Sequence, residues 1–155
     1  MISSSPITLF WFRRDLRIED NAGLFYALRE NEAVLPIFIF DTTILNELDK
    51  EDPRVSFIYD KVLSLKKELE NKGSTLFIKH GKPFDVLKEL ISKYPVKNIY
   101  ANEDYEPYGI DRDKHVKREL ENKGIAFTLY KDHVIFAPQE ILNKEERPYK
   151  VYTPY

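Results

Sequence analysis

Five short apolar runs, each followed by a longer polar or amphipathic stretch, limit what this chain can fold into. They are Ile7–Phe12, residues 34–40, residues 75–79, residues 98–101 and Ala126–Tyr130. Most are near-continuous rather than alternating, the pattern of strands covered on both faces in a parallel sheet. Parallel strands need crossover connections, and the intervening stretches read as helices. The expected fold is therefore α/β: a Rossmann-like, doubly wound sheet of about five parallel strands with helices on both faces.

The helices carry their own signals. In residues 55–72, Val55, Ile58, Tyr59, Val62, Leu65 and Leu69 form one stripe at spacings of three and four. Pro53 stands where a first helical turn accepts proline, and Gly73 where a left-handed cap ends a helix. Pro83–Lys93 is a shorter helix with Phe84, Leu87 and Ile91 facing inward. Residues 107–123 form the most polar helix, with Val116 and Leu120 as its apolar contacts. The string Glu68-Leu69-Glu70-Asn71-Lys72-Gly73 recurs as Glu119-Leu120-Glu121-Asn122-Lys123-Gly124. Each copy precedes a strand, so both read as one solution to a helix-to-strand turn. A further helix is expected to start at Asp20 or Asn21.

Composition removes several function classes. The 155 residues suit one domain with a substantial core. With no cysteine, the chain has no disulfide, thiol nucleophile or zinc–thiolate site. A net charge of −2 leaves little basic surface for phosphate neutralisation, so the domain by itself is not a strong nucleic-acid binder. The opening residues 1–6 lack the basic and apolar regions of a secretory signal, and no apolar run approaches the roughly 20 residues of a membrane span. The expectation is a cytoplasmic protein without membrane contact.

Candidate site residues lie at the carboxyl ends of strands, where open α/β sheets bind ligands. After Phe12 comes Arg13-Arg14-Asp15-Leu16-Arg17. These arginines either hold an anionic ligand or form ion pairs with Asp15, Glu19 or Asp20 that brace the loop. Most are expected to brace, with Arg14 the one that reaches a site. Phe40-Asp41 ends the second strand, and Asp41 either meets a ligand or caps the next turn. The fourth strand ends in Asn102-Glu103-Asp104-Tyr105-Glu106-Pro107-Tyr108, whose acids either hydrogen-bond the amino edge of a heterocycle or cap the helix opened by Pro107. His80, His115 and His133 have no metal-ligand spacing, so no metal site is expected. Neither a GxGxxG fingerprint nor a P-loop is present.

The string WFRRDLRIEDN, the Phe40-Asp41 strand end, Pro53-Arg54, NEDYEPY at 102–108 and the closing PYKVYTPY at 148–155 together resemble the N-terminal domain of the DNA photolyase/cryptochrome family. The likeness runs along nearly the whole chain. It implies a light-harvesting domain at residues 1–132 and the start of an inter-domain linker at 133–155, the chain ending at a domain boundary. It implies an antenna pigment, either methenyltetrahydrofolate or an 8-hydroxy-deazaflavin or flavin, contacted by Arg14, Phe40, Asp41, Arg54, Asp104 and Glu106. It further implies a helical C-terminal partner domain that binds FAD and damaged DNA and splits cyclobutane pyrimidine dimers by light-driven electron transfer. No catalytic residue of that reaction falls in this chain. The same domain in a cryptochrome photoreceptor, and a free-standing nucleotide- or pigment-binding domain, are the other readings.

Overall fold

Each of the five apolar runs contributes a strand. The structure, a computed structural model, describes residues 5–138 and 140–148. The strands are β1 Ile7–Phe12, β2 Val34–Asp41, β3 Phe77–Gly81, β4 Val96–Asn102 and β5 Ala126–Tyr130. The helices are α1 Ala22–Glu30, α2 Thr42–Leu45, α3 Pro53–Asn71, α4 Pro83–Lys93 and α5 Pro107–Glu121. All strand pairs are parallel, in the order β3-β2-β1-β4-β5. The chain thus builds outward from β1 through β2 to β3, then returns to the other side of β1 for β4 and β5. The point of reversal lies between β1 and β4, and there the connecting loops diverge to opposite faces and leave a crevice at the carboxyl edge.

The sheet is covered on both faces, as its apolar strands require. Leu9, Trp11, Ile37, Ile39, Ile99 and Phe127 pack beneath α4 and α5, against Val86, Leu87, Leu90, Val116 and Leu120. Phe10, Phe12, Phe38 and Tyr100 pack against Leu24 and Ala27 of α1 and Val62, Leu65 and Leu69 of α3. At one end of the second face, Tyr26 of α1 stacks on Tyr130 of β5 (centroids 4.5 Å apart, planes 9° apart), and Tyr130 stacks on Tyr100 of β4 (5.9 Å, 10°).

The repeated Glu-Leu-Glu-Asn-Lys-Gly string folds identically twice. Gly73 and Gly124 take φ of 80° and 70°. Ser74 N–H donates to the Leu69 carbonyl, and Ile125 N–H to that of Leu120, the long bond that closes a glycine-terminated helix.

Strand ends and helix burial depart from the sequence reading in several places; β4, for one, runs Val96–Asn102 rather than 98–101. β3 begins two residues later than expected. Pro36 has no N–H to donate, and the β2–β3 ladder starts only after it, at Ile37 opposite Phe77. Leu76 meanwhile turns into the core. The α3 stripe is buried only in its second half, at Val62, Leu65 and Leu69, while Ile58 and Tyr59 are exposed. Tyr59 already sits level with Phe40 near the end of β2 (rings 6.2 Å apart), so the turns before it stand beyond the carboxyl edge. On α4 the buried side chains are Pro83, Val86, Leu87 and Leu90, with Phe84 and Ile91 on the half-buried flanks.

After β5 the described residues form only turns and bends. Asp132 is nevertheless a structural anchor: its carboxylate accepts from Ala22 N–H at the start of α1 (2.9 Å) and from Arg17 (2.7 Å). Apart from Pro148, the terminal motif at 148–155 lies outside the described residues.

Candidate functional site

The crevice between β1 and β4 is held by a polar knot that begins with Arg13. Its guanidinium forks onto Asp113 of α5 with two bonds of 2.7 Å and donates to the Asn102 carbonyl at 3.0 Å. The guanidinium also lies over the Trp11 ring, 4.3 Å from its centroid. Burial is the main influence on Arg13 and pushes its pKa down; the neighbouring cation of Arg112 adds to this, and Asp113 opposes it. Asp15 accepts from the Arg13 N–H (2.7 Å) and from the amides of Asn21 (3.0 Å) and Asn102 (2.7 Å). Asn102 in turn accepts from Gly23 N–H at 2.8 Å. A Cβ on Gly23 would lie 2.6 Å from that same oxygen, so this contact requires glycine. The knot ties the end of β1, the start of α1 and the end of β4 into one body.

The arginines therefore brace the loop, but not with the acids beside them. Arg13 reaches Asp113, Arg14 reaches Glu106, and Arg17 reaches Asp132. Asp15 is used by amides instead. In each case the ion partner lies about a hundred residues away and comes from α5, its N-cap or the segment after β5. Sequence proximity gave no hint of that.

The acids at 103–106 divide their work. Asp104 Oδ1 accepts from Glu106 N–H at 3.2 Å, and its Oδ2 from Arg112 at 3.3 Å. It lies against Gly109 in the first turn of α5, where a Cβ would come within 2.3 Å of the Asp104 carboxyl carbon. Asp104 thus stabilises the start of the helix. Glu106 occupies the N-cap position of α5 but makes no capping bond with its side chain. It pairs with Arg14 instead, at 2.6 and 2.8 Å. Hydrogen bonding to Arg14 holds the Glu106 carboxyl below its usual range. The Tyr105 phenol donates to Glu103 at 2.8 Å; burial first, then that carboxylate, pushes its pKa up.

At the end of β2, Asp41 caps α2 by accepting from Thr43 N–H at 2.9 Å, and it also accepts from the Tyr108 hydroxyl. Tyr108 belongs to α5, so this bond spans the end of β1. Phe40 packs on the opposite face against Phe38 and Tyr59. Arg54 turns back onto Asp52 (2.6 Å) at the exposed start of α3.

A cleft of about 350 Å³ opens at the reversal point, lined by Arg13, Arg14, Glu103, Asp104, Tyr105, Glu106 and His133. That volume is at the small end of ligand sites, enough for a ring system but not for a whole dinucleotide. Of the residues singled out from sequence, Arg14, Asp104 and Glu106 line this cleft. Phe40, Asp41 and Arg54 do not; Asp41 is joined to the same helix by Tyr108, and Arg54 is engaged elsewhere. The sequence reading gave Arg112 no role and took Asp113 for a helix-surface partner of Lys117, whereas they fix Asp104 and Arg13; it gave His133 no place in a site. Their only signal was position: Arg112 stands one helical turn after Gly109, on the same face of α5. Among the described residues no His, Asp and Glu cluster is arranged to hold a metal ion, and no helix is long and apolar enough to cross a membrane.

The family model for DNA photolyase matches residues 8–155. The chain belongs to the DNA photolyase family. A deoxyribodipyrimidine photo-lyase of Synechococcus sp. is 34% identical over 98% of this chain and 31% of its own length. The crystal structure of a Sulfolobus tokodaii photolyase, described with two FAD molecules and a novel light-harvesting cofactor, matches with TM-score 0.76 and 37% identity over 88% of this chain and 32% of that one. A class III photolyase of Agrobacterium tumefaciens matches with TM-score 0.86 and 27% identity over 99% of this chain and 31% of that one. This photolyase-family chain spans between about a third and about half of the length of the curated relatives it matches. In the photolyase frame, the Arg13–Asp113 fork and the Asn102 knot are the scaffold on which the cleft is built.

Proposed function

We propose that this chain is the light-harvesting α/β domain of a DNA photolyase and that it holds a flat, nitrogen-containing pigment in the cleft at the reversal point of the sheet. The observation that carries the reading is the cleft itself: three carboxylates and the Arg14 guanidinium around a ring-sized space, at the edge where this fold binds ligands. Glu103, Asp104 and Glu106 are acceptors for ring N–H or amino groups, and Arg14 is a donor for a ring carbonyl. That donor set fits a pteridine or a flavin-type ring. Phe40, Asp41 and Arg54, at the end of β2 and the start of α3, are assigned to the remainder of a larger pigment. Methenyltetrahydrofolate and an 8-hydroxy-deazaflavin or flavin are the candidates; the second FAD described for the Sulfolobus photolyase supports a flavin.

In its role the chain binds, orients and shields. The Asp15–Asn21–Asn102 knot keeps the cleft walls from shifting, and the carboxylates fix the ring's orientation. When bound, the pigment supplies absorption of blue or near-ultraviolet light. The domain proper is residues 1–132, with 133–155 leading towards a helical C-terminal domain. There, reduced FAD would donate the electron that splits a cyclobutane pyrimidine dimer in DNA. The location is the cytoplasm.

Titration of the purified protein with FMN, FAD, methenyltetrahydrofolate and an 8-hydroxy-deazaflavin tests the reading. An absorbance or fluorescence shift with one of them is expected, and its loss in the Asp104→Asn, Glu106→Gln double variant. No shift with any of the four would overturn the proposal. Illuminated with dimer-containing DNA, this chain alone is expected to leave the dimers intact.

A further inference from the structure

Two neighbouring arginines on one loop hold it in opposite ways. Arg13 is buried, and its fork on Asp113 is shut off from water. Arg14, the next residue, forms its pair with Glu106 in the open, the two side chains 60% and 61% exposed. Arg14 follows β1 and Glu106 precedes α5, so the pair joins the two loops that diverge at the crevice, and both residues line the cleft between them. Glu106 is free to do this because Asp104 has taken over the start of α5, leaving the N-cap side chain without a capping bond. The charged groups acting on the pair are its two members and Asp104.

We infer that the Arg14–Glu106 ion pair is a latch across the mouth of the cleft, which must open before a flat ligand can enter. The inference rests on the reading of the cleft as a ligand site. Arg13 is the fixed bolt of the loop and Arg14 its moving catch. While the latch is closed, the Arg14 donors and Glu106 acceptors satisfy one another. A ligand with a carbonyl beside an N–H can take both over at once, so entry exchanges partners rather than stripping them bare. Exposed pairs are weak, so the latch slows entry by no more than about fivefold. It is also loosened by salt.

Two measurements test the latch. The first needs no ligand: titration of the Glu106 carboxyl by carbon-13 NMR in the native chain and in Arg14→Gln. The native Glu106 is expected to titrate below the ordinary range and to return towards it in the variant, with Arg14→Lys in between. Identical titration in all three would show that no pair forms and would overturn the latch. The second is stopped-flow association of riboflavin, an uncharged probe. Association is expected to speed up two- to fivefold in Arg14→Gln, and in the native chain on raising sodium chloride from 50 to 500 mM, with no salt effect left in the variant. Riboflavin that binds at one rate throughout would also overturn the latch. Riboflavin that binds to neither protein would count against a flavin pigment, and the Glu106 titration would then decide the latch alone.

Discussion

Gly109 is constrained by what lies beside it rather than by its own backbone. A methyl group there would sit within 2.3 Å of the Asp104 carboxyl carbon. Alanine is the better helix former by about 1 kcal/mol, but overpacking of this kind costs about 1–3 kcal/mol. Gly109→Ala is therefore expected to lower stability by about 1 kcal/mol in urea unfolding and to displace Asp104, weakening pigment binding more than it weakens the fold. A gain in stability with unchanged binding would refute this. Asp113→Asn is a harsher change, because it leaves the buried Arg13 guanidinium without its counter-charge. A loss of about 3–5 kcal/mol is expected, with much of it recovered when Arg13 is replaced by methionine in the same protein. Sequence reasoning singled out Arg14, Asp104 and Glu106, which line the cleft, because they stand next to recognisable strand ends. It missed Asp113 and Arg112 because a partner about a hundred residues away is a property of the fold.

At the scale of elements, local chemistry was legible wherever one residue had one job. Ala126–Tyr130 and Pro83–Lys93 fall where the sequence reading put them, and the duplicated glycine-ended string predicted two identical turns. Since nothing lies within 4 Å of a Cβ at Gly73 or Gly124, replacing either with alanine tests backbone strain alone. Each substitution is expected to cost about 1–2 kcal/mol, with the two values close to each other. The start of α3 offers a pH test. Hydrogen bonding to the Arg54 side chain, then to its backbone N–H, lowers the Asp52 pKa to about 2. Because the folded value lies below the unfolded one, the contribution of Asp52 is present above pH 4 and fades as pH falls towards 2. The Asp52 carboxyl signal is expected to titrate near 2, and to rise in Arg54→Gln. What the sequence did not disclose here was where the sheet ends. Ile58 and Tyr59 keep the helical period of Val62 and Leu65, yet no strand lies beneath the first turns of α3.

On the scale of the whole molecule, the order β3-β2-β1-β4-β5 decides where chemistry can happen, and apolar runs carry no information about that order. It places β1 in the centre, with 0% exposure at Leu9, Phe10 and Phe12, and β3 and β5 at the edges. Native-state hydrogen exchange is expected to be slowest at the β1 amides and fastest among the strands at β3 and β5. An edge strand that outlasts β1 would contradict this layering.

The tyrosine column at the β5 edge has a spectroscopic consequence. Three phenol rings from α1, β5 and β4, with planes 9° and 10° apart, form a coupled set of oscillators locked in one relative orientation. Such a set should give a distinct near-ultraviolet circular dichroism band, and Tyr130→Leu, which removes the middle ring, should abolish it. The band would then report from inside the native chain on whether β5 and α1 remain seated, and would warn of loosening at that edge before the helical far-ultraviolet signal changes.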